Sequence, residues 1–205
     1  KSEIVQAITN YNTNTLTAFD GVFRYSKVMG IVDDVDNSIL SNITTVKIRK
    51  SFTPTLSSST KYDVYFRNAI YNPHSGHEAV LSSTGFKISG NTNEMFLDDD
   101  GMGNVRVYYL VSGIKTVQNA TQGTIDYATG QITINSLDIA SISNIRGSVS
   151  TVIEVTASPL SNDVVPVRDQ ILEIDVSNSI VNVSEDTFIG GSSEAGVGYT
   201  TSSSY

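Results

Sequence analysis

Three carboxylates stand side by side at Asp98, Asp99 and Asp100, with Gly101 next. Several carboxylate oxygens gathered by a glycine turn are what a hard cation such as calcium wants. The spacing does not complete such a loop, because an EF-hand needs alternating ligands and a glutamate at its twelfth position. The twelfth residue from Asp98 is Tyr109. Contiguous acids just ahead of a strand read instead as a solvated turn.

His74 and His77 flank Ser75-Gly76, with Glu78 alongside. Two imidazoles three residues apart can chelate zinc, but no third ligand is set by the sequence, and such loop histidines are expected to be exposed. A Ser-His-Asp hydrolase would have to draw on one of these two, and no GxSxG elbow supplies its nucleophile. Gly101-Met102-Gly103 leads into a strand and not a helix, so it is no phosphate loop. The chain has no Cys and no Trp. That removes disulfides, thiol catalysis and thiolate zinc sites, together with the aromatic platform most expected of a carbohydrate site. No catalytic residue, cofactor or metal ligand is therefore assigned, and the function is expected to lie in contacts.

The elements that position these residues are mostly strands. From Asn104 to Val111, Val105, Val107, Tyr109 and Val111 share one face while Asn104, Arg106 and Tyr108 share the other, a period of two. Ile125 and Tyr127 pair with Ile132 and Ile134 around Ala128-Thr129-Gly130, where glycine can take a positive φ. Alternation also marks 43–52 and 61–68, neighbours that could pair as a hairpin or meander, with shorter strands expected at 79–81, 86–88, 149–155, 171–176 and 180–183. Ahead of them, Ile4, Val5, Ile8 and Tyr11 recur at helical spacing behind Ser2 as cap, and the NTNT run at 12–15 is expected to end that helix. Val28, Ile31, Val32 and Val35 make a second helical stripe beside Asp33, Asp34 and Asp36.

The expected class is α+β, mainly antiparallel β-sheets with a few short helices near the N-terminus. Residues 1–55 read as a small helical and strand piece, 56–188 as a β-rich body and 189–205 as a flexible Gly/Ser-rich tail. The 205-residue chain begins at Lys1, read as a fragment or processed chain, and carries a net charge of −8 with a pI near 4.6. An acidic field repels phosphate backbones, so no direct nucleic-acid role is expected. No apolar run of membrane length occurs, and the chain is read as soluble with no membrane partner.

The segments LDDDGMGNVRVYYL, GTIDYATGQITI and ASPLSNDVVPVRDQILEID, in that order, resemble the C-terminal region of the baseplate wedge subunit of T4-like contractile-tailed bacteriophages, within the wider baseplate J-like group. FRYSKVMGIVDDVDNSILSNITTVKIRKSFTP and KYDVYFRNAIYNP are similar to it too, so the resemblance spans most of residues 19–180. It implies a non-enzymatic late protein of the virion tail baseplate, assembled in the host cytoplasm. Its copies would form homodimers, bind other wedge proteins and link wedges into a ring. One rival is a carbohydrate-binding β module of a tail or surface protein; another is a metal-dependent hydrolase using Asp98 to Asp100 with His74 or His77. Candidate contact residues are Arg168, Ile171 and Leu172, on an expected strand edge, and Phe188, Tyr199 and Tyr205, as aromatic anchors in the tail.

Overall fold

The structure, a computed structural model, describes residues 1–18, 21–167 and 170–184. Helix α1 (Ser2–Tyr11) buries Ile4 and Tyr11, as the apolar spacing requires. Its N-cap is Lys1 with no side-chain cap, so Ser2 lies inside the first turn and does not cap the helix as expected. Nor does the NTNT run end it. The chain continues as a wider π-type turn over Asn12–Leu16, because that extension carries Leu16, 1% exposed, into a cluster with Tyr11 and Val28. Thr13 and Thr17 donate their hydroxyls back to the carbonyls of Thr9 and Thr13, which lets these residues remain in a helical path. Helix α2 (Tyr25–Asp33) faces the same cluster with Val28 and buries Val32.

Among the described residues there are nine strands, and five of them close a barrel. In chain order the strands are β1 (Ile48–Phe52), β2 (Ser59–Tyr65), β3 (Leu81–Ser83), β4 (Phe86–Ile88), β5 (Met95–Asp99), β6 (Asn104–Val111), β7 (Ile114–Asp126), β8 (Gln131–Ile142) and β9 (Ile153–Ala157). Every pairing among them is antiparallel. The path β4-β8-β7-β6-β5 returns to β4, a closed circuit of ladders, while β3, β9 and β1 extend from β5 and β2 lies against β8. One strand can serve β2, β7 and β4 because β8 bulges. Its register against β2 slips between Thr60 and Tyr62, and Ser136 there takes φ 25°.

The barrel interior follows the alternation read from the sequence. Val105 and Val107 are 0% and 1% exposed, and Ile132, Ile134, Phe86, Met95 and Leu97 are fully buried with them. Each such side chain contributes about 1.5–3 kcal/mol through burial. The expected hairpin between the first two strands is absent. Pro54 is buried in their connection, and Ser57, at φ 53°, donates its N–H to Ile139 O at 2.7 Å. That turns the chain toward β8, so β1 is left to pair with β9.

The C-terminal alternation at 171–176 forms no strand, and neither does 180–183. Leu172 and Ile174 instead pack on the helical cluster, and the Ile174 N–H donates to Asn12 Oδ1 at 2.7 Å. This strap is clasped to the sheet by Arg49, which ion-pairs with Asp175 and, at 3.1 Å, with Glu154. Burial acts to raise the Asp175 pKa, but hydrogen bonds from Ser177, Asn178 and Arg49 overcome it and hold the carboxyl down to about 2. A depressed folded pKa contributes stability above the ordinary carboxylate value and loses it as pH falls through the folded one. Wild type should therefore lose more thermal stability than Asp175→Asn between pH 5 and roughly pH 2, as read by melting curves across that range. Equal losses would contradict the clasp.

Candidate interaction surface

The acidic cluster is structural and mostly inside the wall. Asp98 and Asp99 belong to β5 and are 2% and 0% exposed, which corrects the reading of a solvated turn. Asp98 sits opposite Arg106 in the β5–β6 register and accepts a two-pronged bond from its guanidinium, Nε at 2.9 Å and Nη2 at 2.8 Å. Lys115 adds a third donor at 2.6 Å. The Asp98 hydrogen bonds push the Arg106 pKa up against the opposing effect of burial.

Asp99 receives four donors. Val80 and Leu81 N–H reach its Oδ1 at 2.8 Å each, and Gly101 N–H and the Tyr127 hydroxyl reach Oδ2 at 3.3 and 2.7 Å. Burial first, and then the bond to Asp99, raise the Tyr127 phenol far above its ordinary value. Asp100 alone matches the turn reading, accepting the Met102 and Asn104 N–H groups and the Asn104 amide. Burial acts to raise its pKa, but the Asn104 and Met102 bonds outweigh that and lower it. These carboxylates thus spend their oxygens on the protein itself. Among the described residues no group of three His, Cys, Asp or Glu is placed to hold a metal ion.

The two histidines part company. His74 is exposed, whereas His77 is 7% exposed, a correction to the expectation for a loop histidine. Its ring stands edge-on to Tyr127 at 5.3 Å, and Nδ1 lies 2.7 Å from the Glu78 carbonyl. Gly101 explains the burial. At φ 72° it brings its backbone so close that a Cβ there would lie 2.5 Å from both N and O of His77.

The braced wall supports a hairpin that outruns the barrel. β6 and β7 meet at Ser112-Gly113, both at positive φ, with Val111 opposite Ile114 and Leu110 opposite Lys115. The inward stripe of β6 is buried at Val105 and Val107 and emerges at Val111, which is 52% exposed. Leu110, Ile114 and Val117 are exposed with it. Lys115 lies over the Tyr108 ring at 4.4 Å, and Tyr108 stacks on Phe96 at 5.6 Å, fixing the base of the tip. Burial raises the Tyr108 phenol pKa, and the neighbouring Lys115 acts in the other direction.

This apolar tip was missed from the sequence. Beyond the two-residue Ser-Gly turn the alternation of 104–111 does not resume, since Ile114 and Val117 fall on opposite faces of β7, and only the turn itself signals that the two runs join. Of the residues singled out as contacts, Arg168, Phe188, Tyr199 and Tyr205 lie outside the described residues. Ile171 is 63% exposed, and Leu172 is half-buried against the helical cluster. The two therefore lie on a strap, with no strand edge at that position.

Residues 1–51 match the family described as baseplate structural protein gp6, C-terminal domain III. The matched stretch covers α1, α2 and most of β1. No curated protein matches the chain. The family match supports a structural role in a phage baseplate, as a virion component in contact with other baseplate parts.

Proposed function

We propose that this chain is the C-terminal part of a wedge subunit of a contractile-tail baseplate, in the baseplate J-like group, and that it links wedges into a ring. It does so by pairing with its own copies and by binding other wedge proteins, first in the host cytoplasm and then in the virion. The observation that carries this reading is the similarity of residues 1–51 to a baseplate structural domain. The architecture supports it. A barrel whose buried acids are used to brace its own wall, with an apolar hairpin exposed beyond it, is suited to transmitting load between neighbours.

Self-association is tested by the solution mass of the chain over a concentration series, from light scattering coupled to size exclusion. A dimer, reversible or tight, is expected. A strict monomer at every concentration would contradict pairing through this part of the subunit.

A further inference from the structure

We infer that the outer edge of β1 takes up an extended, acidic segment of another baseplate protein as an added strand, an inference that rests on the binding of wedge proteins proposed above and names its mode. The orientation of β9 fixes which groups of β1 are free. Thr84 N–H donates to Glu154 O at 2.9 Å, Glu154 N–H donates to Thr84 Oγ1 at 3.0 Å, and Ser158 N–H donates to Val80 O at 3.1 Å. Glu154 and the residues in step with it therefore turn their backbones toward β3. Successive residues of a strand turn alternately to its two sides, so Ile153, Val155 and Ala157 turn toward β1. Their partners there are Phe52, Lys50 and Ile48, which leaves the N–H and C=O groups of Arg49 and Ser51 directed away from the sheet. Among the described residues nothing bonds to them.

The open run has defined ends. Ahead of it Thr44 O accepts the Tyr25 hydroxyl at 3.1 Å. Behind it the Phe52 ring lies 4.8 Å from that of Tyr62, whose hydroxyl accepts the Thr55 N–H at 3.1 Å. Between these anchors Lys47, Arg49 and Ser51 are exposed. An unpaired, extended edge of this kind is a template for one more strand.

Charge selects the occupant. Lys47, Arg49 and Lys50 are neighbours on a chain of net charge −8. Arg49 and Arg146 are balanced by Glu154 and Asp175, whereas among the described residues neither Lys47 nor Lys50 has an acidic partner. Counting the exposed Glu173 of the strap against them still leaves this edge positive. Lysines on an edge turn away neutral and basic strands. A second copy of β1 would set the same cations against each other, so self-pairing is opposed here. An extended segment carrying carboxylates satisfies both the free backbone groups and the free ammonium groups.

The test uses the whole chain and two synthetic probes of about ten residues, one alternating glutamate with valine and one alternating lysine with valine. Amide exchange followed by nuclear magnetic resonance should find Ile48, Lys50 and Phe52 protected in the free chain, and Arg49 and Ser51 open. The glutamate peptide should slow exchange at Arg49 and Ser51 at least about tenfold, and the lysine peptide should not. Ser51→Pro removes only an outward N–H, so it should keep the circular dichroism of wild type and weaken binding of the glutamate peptide at least about tenfold. Lys47→Glu should weaken it by a similar factor, and this variant decides the matter with the exchange data if the proline variant does not fold. Arg49 and Ser51 protected in the free chain at every concentration would show that the chain's own residues fill the edge. Protection that rises with chain concentration would place a second copy there. Either result overturns the proposal, as would equal effects of the two peptides or no effect of either. The baseplate role itself would survive these outcomes, because it is decided by where the chain lies in the tail.

Discussion

Asp99→Ala should cost about 4 kcal/mol and lower the melting temperature by roughly 10 °C, the largest effect expected of any single change away from the aliphatic core. The side chain is fully buried and satisfies three backbone N–H groups and one phenol. Truncation leaves those donors in a closed wall where water cannot replace the lost acceptor, and each such orphan costs about 1–3 kcal/mol before the structure relaxes. Asp99→Asn keeps one acceptor oxygen but turns an amide toward donors, so it should fall between wild type and alanine. Asp126 offers the comparison. Its carboxylate also caps a turn, through Ala128 and Thr129, but it is exposed. Asp126→Ala should therefore cost about 1 kcal/mol or less. Chemical denaturation of the three variants measures the difference, and equal losses for Asp99→Ala and Asp126→Ala would show that burial does not govern this network.

The second large effect is non-additive. Arg106→Met removes two hydrogen bonds to Asp98 and one to the Asp99 carbonyl, and leaves Asp98, 2% exposed, facing Lys115 alone. Breaking one side of a buried ion pair costs about 3–5 kcal/mol, and the remaining lysine places this case near the lower end. Removing both partners is different in kind. In Asp98→Leu/Arg106→Met no charge is stranded in the wall, and Lys115, whose side chain is 42% exposed, returns to solvent. The double variant should recover to within about 1.5 kcal/mol of wild type, giving a coupling energy above roughly 2 kcal/mol in a double-mutant cycle. Additive losses would mean that the pair is not the unit of stabilisation.

What could be read from the sequence was local. The alternation of Val105 and Val107 and the hairpin from Ile125 to Ile134 appear as expected, because period two and a glycine turn are properties of short stretches. The strand Met95–Asp99 carries no alternation to mark it, because Met95, Leu97, Asp98 and Asp99 are all buried. Contiguous acids read as a wet turn, and that pattern hides the burial of Asp98 and Asp99. The counter-signal was Arg106, a lone charge within an apolar strand, which calls for an opposite charge across the ladder. Pairing of β1 with β9 joins residues about a hundred positions apart, and no short window contains that information. At 171–176 the alternation was real but its partner was not a strand. Leu172 and Ile174 found an apolar surface on the helices. The tip at Ile114 shows the converse, where apolar side chains stay exposed beyond the barrel with no period to mark them.

The central claim is that this chain is a structural part of the baseplate, and its position in the virion tests that most directly. Antibody raised against the chain and coupled to gold, applied to purified tails carrying it and viewed by electron microscopy, should label the baseplate end of the tail. Label confined to fibres, capsid or tube, or its absence from intact and disrupted tails alike, would contradict the account.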